Sequence, residues 1–444
     1  MVVALALRVV GTGYGLPYPL LNPDEGNLVP RAWALVHGGG LDPGWYDYPS
    51  LLFLVLAPSQ LFADDPSYGA ARGAAVIIAL GGVAATWWLG RAAYGRTAAA
   101  VGAATVAVAT THVAYSRMAV TDVLLTLLVT VTLALLIARR LEWAGIAAGL
   151  AVSAKYPGIA LVVPLAVAGW GHWRAIARSL ALALGAFFVT STFVVVHAGR
   201  AWADIHRVQE LARLGWLGFE DDPGLTLAFV DRLWGALGPV LIVMLVAALL
   251  AVRRLTLADR VLLSFLAAYW LQLVPVHAPF DRYVLPLVPV LGVLAGSVRR
   301  LAPIAAIALL VPLAWSIGDA RSLRGKDTRL VADSWIAANV PASELVAADP
   351  STLPLAGRRV LRLELPGPGR PFDPNRDVQR LRRAGVRWVL VSGAVTDRVV
   401  AHPDLYAREA RFYAELDQPG HTAFATDATE PGQTGPWVRV YRLR

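Results

Sequence analysis

Apolar stretches about 20 residues long recur through roughly the first 320 positions of this chain, each long enough to cross a bilayer as a helix. The whole sequence has 444 residues, of which 57% are hydrophobic and 16% charged. A soluble protein carries about a quarter charged residues. The pattern predicts an α-helical polytopic membrane protein. Candidate spans fall near residues 1–20, 69–90, 97–115, 118–138, 143–154, 157–170, 175–197, 228–251, 258–276, 283–298 and 301–318, or about eleven crossings. The pieces flanking Ser153-Ala154-Lys155-Tyr156-Pro157-Gly158 are short, and joining them into one broken helix would invert everything downstream.

Loop charge decides between the two topologies. With the N-terminus inside, the inner loops hold Arg91 and Arg96, Arg139 and Arg140, Arg174 and Arg178, Arg253, Arg254 and Arg260, then Arg299 and Arg300. The opposite loops hold Asp24, Glu25, Asp42, Asp47, Asp64, Asp65, Asp122, Asp204, Glu220, Asp221, Asp222 and Asp281. Every inner loop is then positive, as bacterial topology requires, so Lys155 is expected to separate two crossings. Arg8 interrupts the first span early. That fits a tilted helix with Arg8 near its outer end or, the favoured reading, a start upstream of Met1. Met1 to Val10 has no basic leader segment and no small-residue cleavage site after it.

The net charge of +9 lies in short arginine clusters between spans, which is a topology signal rather than a nucleic-acid surface. The chain has no cysteine, which excludes disulfides, thiolate metal sites and thiol nucleophiles. Lysine occurs only at Lys155 and Lys326 against many arginines, a bias that suggests a GC-rich bacterial gene.

Beyond residue 320 the pattern changes. Asp333 to Asn339, Asn375 to Ala384 and Leu405 to Leu416 read as helix. Leu345 to Ala348, Val360 to Leu365, Val386 to Ser392 and Trp437 to Leu443 read as strand. The expected organisation is a membrane catalytic domain over 1–320, with a first outer loop at 21–68, and a small extracytoplasmic α/β domain over 321–444. No tandem repeat is visible.

The residues that can carry chemistry gather in the outer loops. Asp24 and Glu25, in Asn22-Pro23-Asp24-Glu25-Gly26, are carboxylates beside a bilayer, where such groups are costly. One of them can serve as base for a hydroxyl acceptor; the plain alternative is that Pro23-Asp24 caps a helix from Gly26 to His37. The segment from Asp42 to Leu51, with Trp45, Tyr46 and Tyr48, reads as a wall for a sugar ring or, more commonly, an interfacial aromatic belt. Asp122 offers a second acid or simply answers a helix dipole. Arg117 and His112 lie nearby, and an isolated interfacial histidine is more often structural. Lys155 suits a phosphate oxygen or merely snorkels. Arg282 begins a helix, where a cation opposes the dipole, so it needs an anionic partner, either Asp281 or a phosphate.

Taken in order, Asn22-Pro23-Asp24-Glu25, Tyr48-Pro49-Ser50-Leu51, Ser116-Arg117 with Thr121-Asp122, Lys155-Tyr156-Pro157, and Arg282-Tyr283 with Leu285-Pro286 resemble bacterial GT-C glycosyltransferases. The likeness is to the superfamily of dolichyl-phosphate-mannose protein mannosyltransferases and aminoarabinose transferases, and it covers most of the first 320 residues. It implies a multi-helix GT-C core with juxtamembrane helices in the first loop. It also implies a polyprenyl-phosphate sugar donor presented from the outer leaflet.

By the same resemblance Asp24 matches the acceptor-activating aspartate with Glu25 as its neighbour, and Asp122 matches a second acidic position. Lys155 and Arg282, and less directly Arg117, would meet the donor phosphate; Tyr48, Tyr156, Tyr283 and His112 would line the substrate site. The characterised mannosyltransferases follow their acidic pair with a His-Pro-Pro-type element where this chain has Tyr48-Pro49-Ser50, which argues against protein mannosylation.

The expected function is sugar transfer, with inversion, to a hydroxyl of a cell-envelope glycan, lipid or protein, by a multi-pass enzyme of the bacterial inner membrane. Besides the donor and acceptor, its partners would be membrane lipid, with no nucleic acid. No cofactor is fixed, and a need for a divalent cation, Mg2+ or Mn2+, is left open. The rivals are a secondary transporter, disfavoured because the acids sit at helix ends and no halves repeat, and a non-catalytic glycan-binding relative of the same fold.

Overall fold

The computed structural model describes residues 1–222 and 225–443; Arg444, the last residue of the expected C-terminal domain, lies outside them. The chain forms two compact units, one of Met1–Gln209 with Pro223–Arg321 and one of Glu210–Asp222 with Ser322–Arg444.

The first unit is a helical bundle. Among the described residues, Tyr68–Ala93, Trp173–Thr190 and Ala302–Ser322 are each long and apolar enough to cross a membrane alone. The other apolar stretches are shorter or interrupted, and each interruption has a local cause. The expected span 1–20 is helical only over Val2–Val9, because the Gly11-Thr12-Gly13-Tyr14-Gly15 run that follows has poor helix propensity. The expected span 228–251 is a bent pair, Leu227–Leu237 and Val240–Arg254, turning by 116°. Gly238 supplies a φ of +60° at the corner and Pro239 follows it, which together end one helix and start another. Elsewhere small residues draw helices together. Cβ atoms added at Gly145 and Gly149 would fall 2.2 and 2.1 Å from the carbonyl oxygens of Ser179 and Ala183, so Leu141–Ala154 and Trp173–Thr190 pack through a small-residue face.

Arg8, inside the first helix, serves a break in another. Ala109, with ψ of 120°, separates helix Arg96–Val108 from helix Thr110–Tyr115 and frees the carbonyls before it. Arg8 is fully buried there and donates to Val106 O at 2.8 Å and Ala107 O at 3.0 Å. Ser316 Oγ donates to Val108 O at 2.9 Å. The charge inside the first helix therefore satisfies a break in another.

The first loop folds back onto one end of the bundle. Helices Glu25–Val36 and Leu51–Leu56 bury Leu28, Val29, Leu52, Phe53 and Leu56 against Ala71, Val120 and Ala154, the ends of three bundle helices. That apolar contact fixes the polar loop residues without requiring them to stabilise it.

The second unit is a five-stranded sheet in the order Val360–Arg362, Leu345–Ala348, Val386–Ser392, Val438–Arg442, Thr422–Thr426. The first three strands are parallel and the last two antiparallel to their neighbours. Side chains alternate between two covered faces. Val346, Ala348, Trp388 and Leu390 pack with Ala332 and Ile336 of helix Thr328–Asn339. Ala347, Val389 and Val391 pack with Phe412 and Leu416 of helix Ala407–Leu416. Segment 210–222 belongs to this unit rather than the bundle: Leu217 enters its core, and Glu220 accepts from Tyr406 Oη at 2.6 Å.

Candidate active site

Asp24 precedes helix Glu25–Val36, but its side chain makes no capping bond. Its own backbone N–H instead donates to Asn22 Oδ1 at 2.9 Å, which turns the carboxylate away from the helix end. Oδ2 accepts from Arg282 Nη1 at 2.6 Å and from Tyr48 Oη at 3.1 Å. Both donors reach the same oxygen. Among the described residues none reaches Oδ1, and the side chain is 25% exposed.

Arg282 therefore has its anionic partner in Asp24, 258 positions away, and not in Asp281. Asp281 Oδ1 instead accepts from the Arg282 backbone N–H at 2.9 Å and from Tyr115 Oη at 2.7 Å. Burial would pull the Arg282 guanidinium down, yet Tyr48 and Asp24 beside it hold it well above its ordinary value. Burial also pushes the Tyr48 phenol up, which keeps it a donor to Asp24. The Arg282 Nε is buried with no partner.

A second ion pair stands beside the first. Lys155 Nζ lies 2.6 Å from Asp122 Oδ1, both largely buried, and Asp122 Oδ2 has no partner. The ammonium sits 4.9 Å from the Tyr283 ring and 5.7 Å from the Tyr48 ring, while Arg282 lies 5.8 Å from the same Tyr283 ring. Tyr48 and Tyr283 thus bridge the two pairs. Lys155 has extended backbone between helix Leu141–Ala154 and the 3-10 turn Tyr156–Leu161, so the break predicted from its sequence presents its side chain here.

Asp24, Asp122, Lys155, Arg282, Tyr48 and Tyr283 are thus brought together, and the remaining expected residues are not. Glu25 is fully buried and clamped by Arg72, with Nε to Oε1 at 2.9 Å and Nη2 to Oε2 at 2.7 Å, and it accepts from Ala119 N–H at 2.9 Å. It anchors the loop and, among the described residues, shares no hydrogen-bond partner with Asp24. Arg117 donates to Leu7 O at 2.8 and 3.1 Å and pairs with Asp319 at 2.5 Å, apart from the Lys155 and Arg282 pairs. His112 is buried 3.0 Å from Arg8, within the helix break. Tyr156 Oη donates to Tyr46 O at 2.9 Å and holds the aromatic loop segment in place. Arg72 was legible in principle, because an arginine inside an apolar span needs a partner.

Among the described residues no group of three or more histidines and acids is placed to hold a metal. Asp24 and Asp122 each face a cationic side chain. One cavity of the bundle, about 580 Å3, is apolar and lies between helices, with Leu233, Leu241, Leu266, Trp270, Leu287 and Leu291 among its walls.

A helical bundle with two helices in its first loop and a cluster of acids and cations at one end has the GT-C fold. Residues 44–199 match the family described as dolichyl-phosphate-mannose-protein mannosyltransferase. The fold matches ArnT from Cupriavidus metallidurans bound to undecaprenyl phosphate with a TM-score of 0.60 and 16% identity, over 99% of this chain and 96% of that one. It also matches the oligosaccharyltransferase AglB from Archaeoglobus fulgidus, in complex with an inhibitory peptide and a dolichol-phosphate, with a TM-score of 0.58 and 12% identity, over 98% of this chain and 73% of that one. The Archaeoglobus fulgidus enzyme in complex with zinc and sulfate gives 0.53 and 13%, over 98% and 72%. No curated protein sequence matches the chain.

Proposed function

We propose that this protein is an integral membrane glycosyltransferase that moves a sugar from a polyprenyl-phosphate donor to a hydroxyl of a cell-envelope glycan, lipid or protein. The reading places it in the bacterial inner membrane with the active site and C-terminal unit extracytoplasmic, as the arginine-rich loops at the other end favour. The observation that carries it is the asymmetric hold on Asp24: two donors fix Oδ2, leaving Oδ1 for an incoming hydroxyl. The structural neighbours bound to undecaprenyl phosphate and to dolichol-phosphate support the donor class. The apolar cavity is of a chemistry that suits a prenyl tail.

In this mechanism Asp24 Oδ1 accepts the acceptor proton as the hydroxyl oxygen attacks the anomeric carbon. The bond from that carbon to the phosphate oxygen breaks, and its electron pair leaves with the polyprenyl phosphate. Lys155 and Arg282 meet the charge that develops there, so no general acid is needed. Attack from the face opposite the phosphate inverts the anomeric centre. Glu25, bound to Arg72 and Ala119, holds the loop that carries the base.

The test is Asp24→Asn in proteoliposomes given radiolabelled undecaprenyl-phosphate sugars. Transfer should fall by about 10²- to 10⁴-fold, with membrane insertion and binding of bare undecaprenyl phosphate retained. Undiminished transfer would remove Asp24 from the chemistry.

A further inference from the structure

A second cavity of the bundle, about 340 Å3, is polar where the first is apolar, and the mechanism above does not use it. Thr110, Thr111 and Ala114 line it from one short helix, Asp231, Arg232 and Gly235 from helix Leu225–Leu237, and Asp281 and Asp319 from two further elements. Its charges are largely matched within the protein. Asp231 pairs with Arg232 at 3.0 Å, Asp319 with Arg117 at 2.5 Å, and Asp281 accepts from Tyr115 Oη. With three acids and one arginine in its lining, the wall does not repel a neutral ligand and offers no surplus cation to a phosphate. Among the described residues it holds no metal-binding group. What it presents is oxygen acceptors, a guanidinium and hydroxyls, the set that recognises a polyhydroxylated ring.

Two further observations point to a ligand. Thr110 Oγ1 is shielded and has no hydrogen-bond partner, an uncompensated cost unless something else satisfies it. Threonine populates two χ1 rotamers in a helix, so that hydroxyl can swing into the cavity its residue lines. The cavity is also wired to the base: Asp281 is bonded to the backbone of Arg282, whose guanidinium holds Asp24.

Resting on the reading of the site as a glycosyltransferase, we propose that this polar cavity is the subsite for a neutral pyranose ring. Thr110, Asp231, Arg232 and Asp281 recognise its hydroxyls, and the ring belongs either to the donor or to the acceptor. Asp281 then couples ring occupancy to the position of Arg282.

Thr110→Val and Asp231→Ala separate this role from a structural one, since the Thr110 hydroxyl supports nothing in the protein and Asp231 is 64% exposed. The full chain in nanodiscs is titrated with bare undecaprenyl phosphate, with undecaprenyl-phosphate mannose and glucose, and with soluble methyl hexosides. A donor ring in the cavity predicts unchanged binding of the bare lipid phosphate and mannosyl or glucosyl lipid binding weakened about 2- to 10-fold in each variant. An acceptor ring predicts the same loss for a methyl hexoside only. Variants that equal the wild type in both sugar arms, with unaltered thermal stability, overturn the proposal. Failure of the wild type to bind the bare lipid phosphate would instead sink the donor reading, while the hexoside arm still tests the cavity.

Discussion

The two units contain the same trio of side chains, and they use it oppositely. In the bundle Asp24 meets Arg282 at 2.6 Å and Tyr48 at 3.1 Å. In the C-terminal unit Asp349 meets Arg376 at 2.9 Å and Tyr413 at 2.9 and 3.1 Å. Asp349 is fully buried, and its two oxygens share three hydrogen bonds; Asp24 keeps one oxygen open and a quarter of its side chain exposed. Composition does not separate a carboxylate with an open oxygen from a closed one. The separation comes from whether the donors saturate both oxygens or converge on one.

That contrast fails if the two aspartates respond alike. Asp349→Ala strands the Arg376 charge and should destabilise the C-terminal unit by about 3–5 kcal/mol, read as earlier proteolysis of that unit, with turnover per folded molecule kept. Asp24→Asn should do the reverse, with near-native protease resistance and transfer lost. Next in size, Arg282→Ala should weaken undecaprenyl-phosphate sugar binding by about 10- to 100-fold, because a charged donor is removed, and should leave acceptor affinity less changed. Equal losses for both substrates would deny the phosphate role. The smallest effect sharpens the geometry. Tyr48→Phe removes one neutral donor from Oδ2 and should lower turnover by about 2- to 10-fold, whereas Tyr413→Phe should alter stability and leave turnover alone.

What the sequence made legible followed from signals confined to one segment. Apolar length gave the helices, the Lys155-Tyr156-Pro157 break was visible as such, and the short apolar runs Leu345 to Ala348 and Val386 to Ser392 gave two strands at their observed bounds. Edge strand Thr422–Thr426 escaped because it is mostly exposed and shows no alternation. The bend in the stretch 228–251 was signalled by Gly238-Pro239, but hydropathy averages over it. Pairings were harder. Nothing local distinguishes Asp281 from Asp24 as the partner of Arg282, since the choice is made by Tyr115 occupying Asp281. Glu25 and Asp24 are adjacent with the same charge, yet Arg72 claims only the former. Arg8 looked like a flaw in one helix because the carbonyls it serves belong to another.

The open oxygen of Asp24 also bears on how one round of transfer makes way for the next. In the proposed mechanism the acceptor proton lands on Oδ1, and the carboxyl must shed it before a second hydroxyl can be activated. A side chain with a quarter of its area exposed could, on that proposal, release the proton directly once product departs. Such a route would call on no proton-carrying histidine, in keeping with the buried position of His112 beside Arg8.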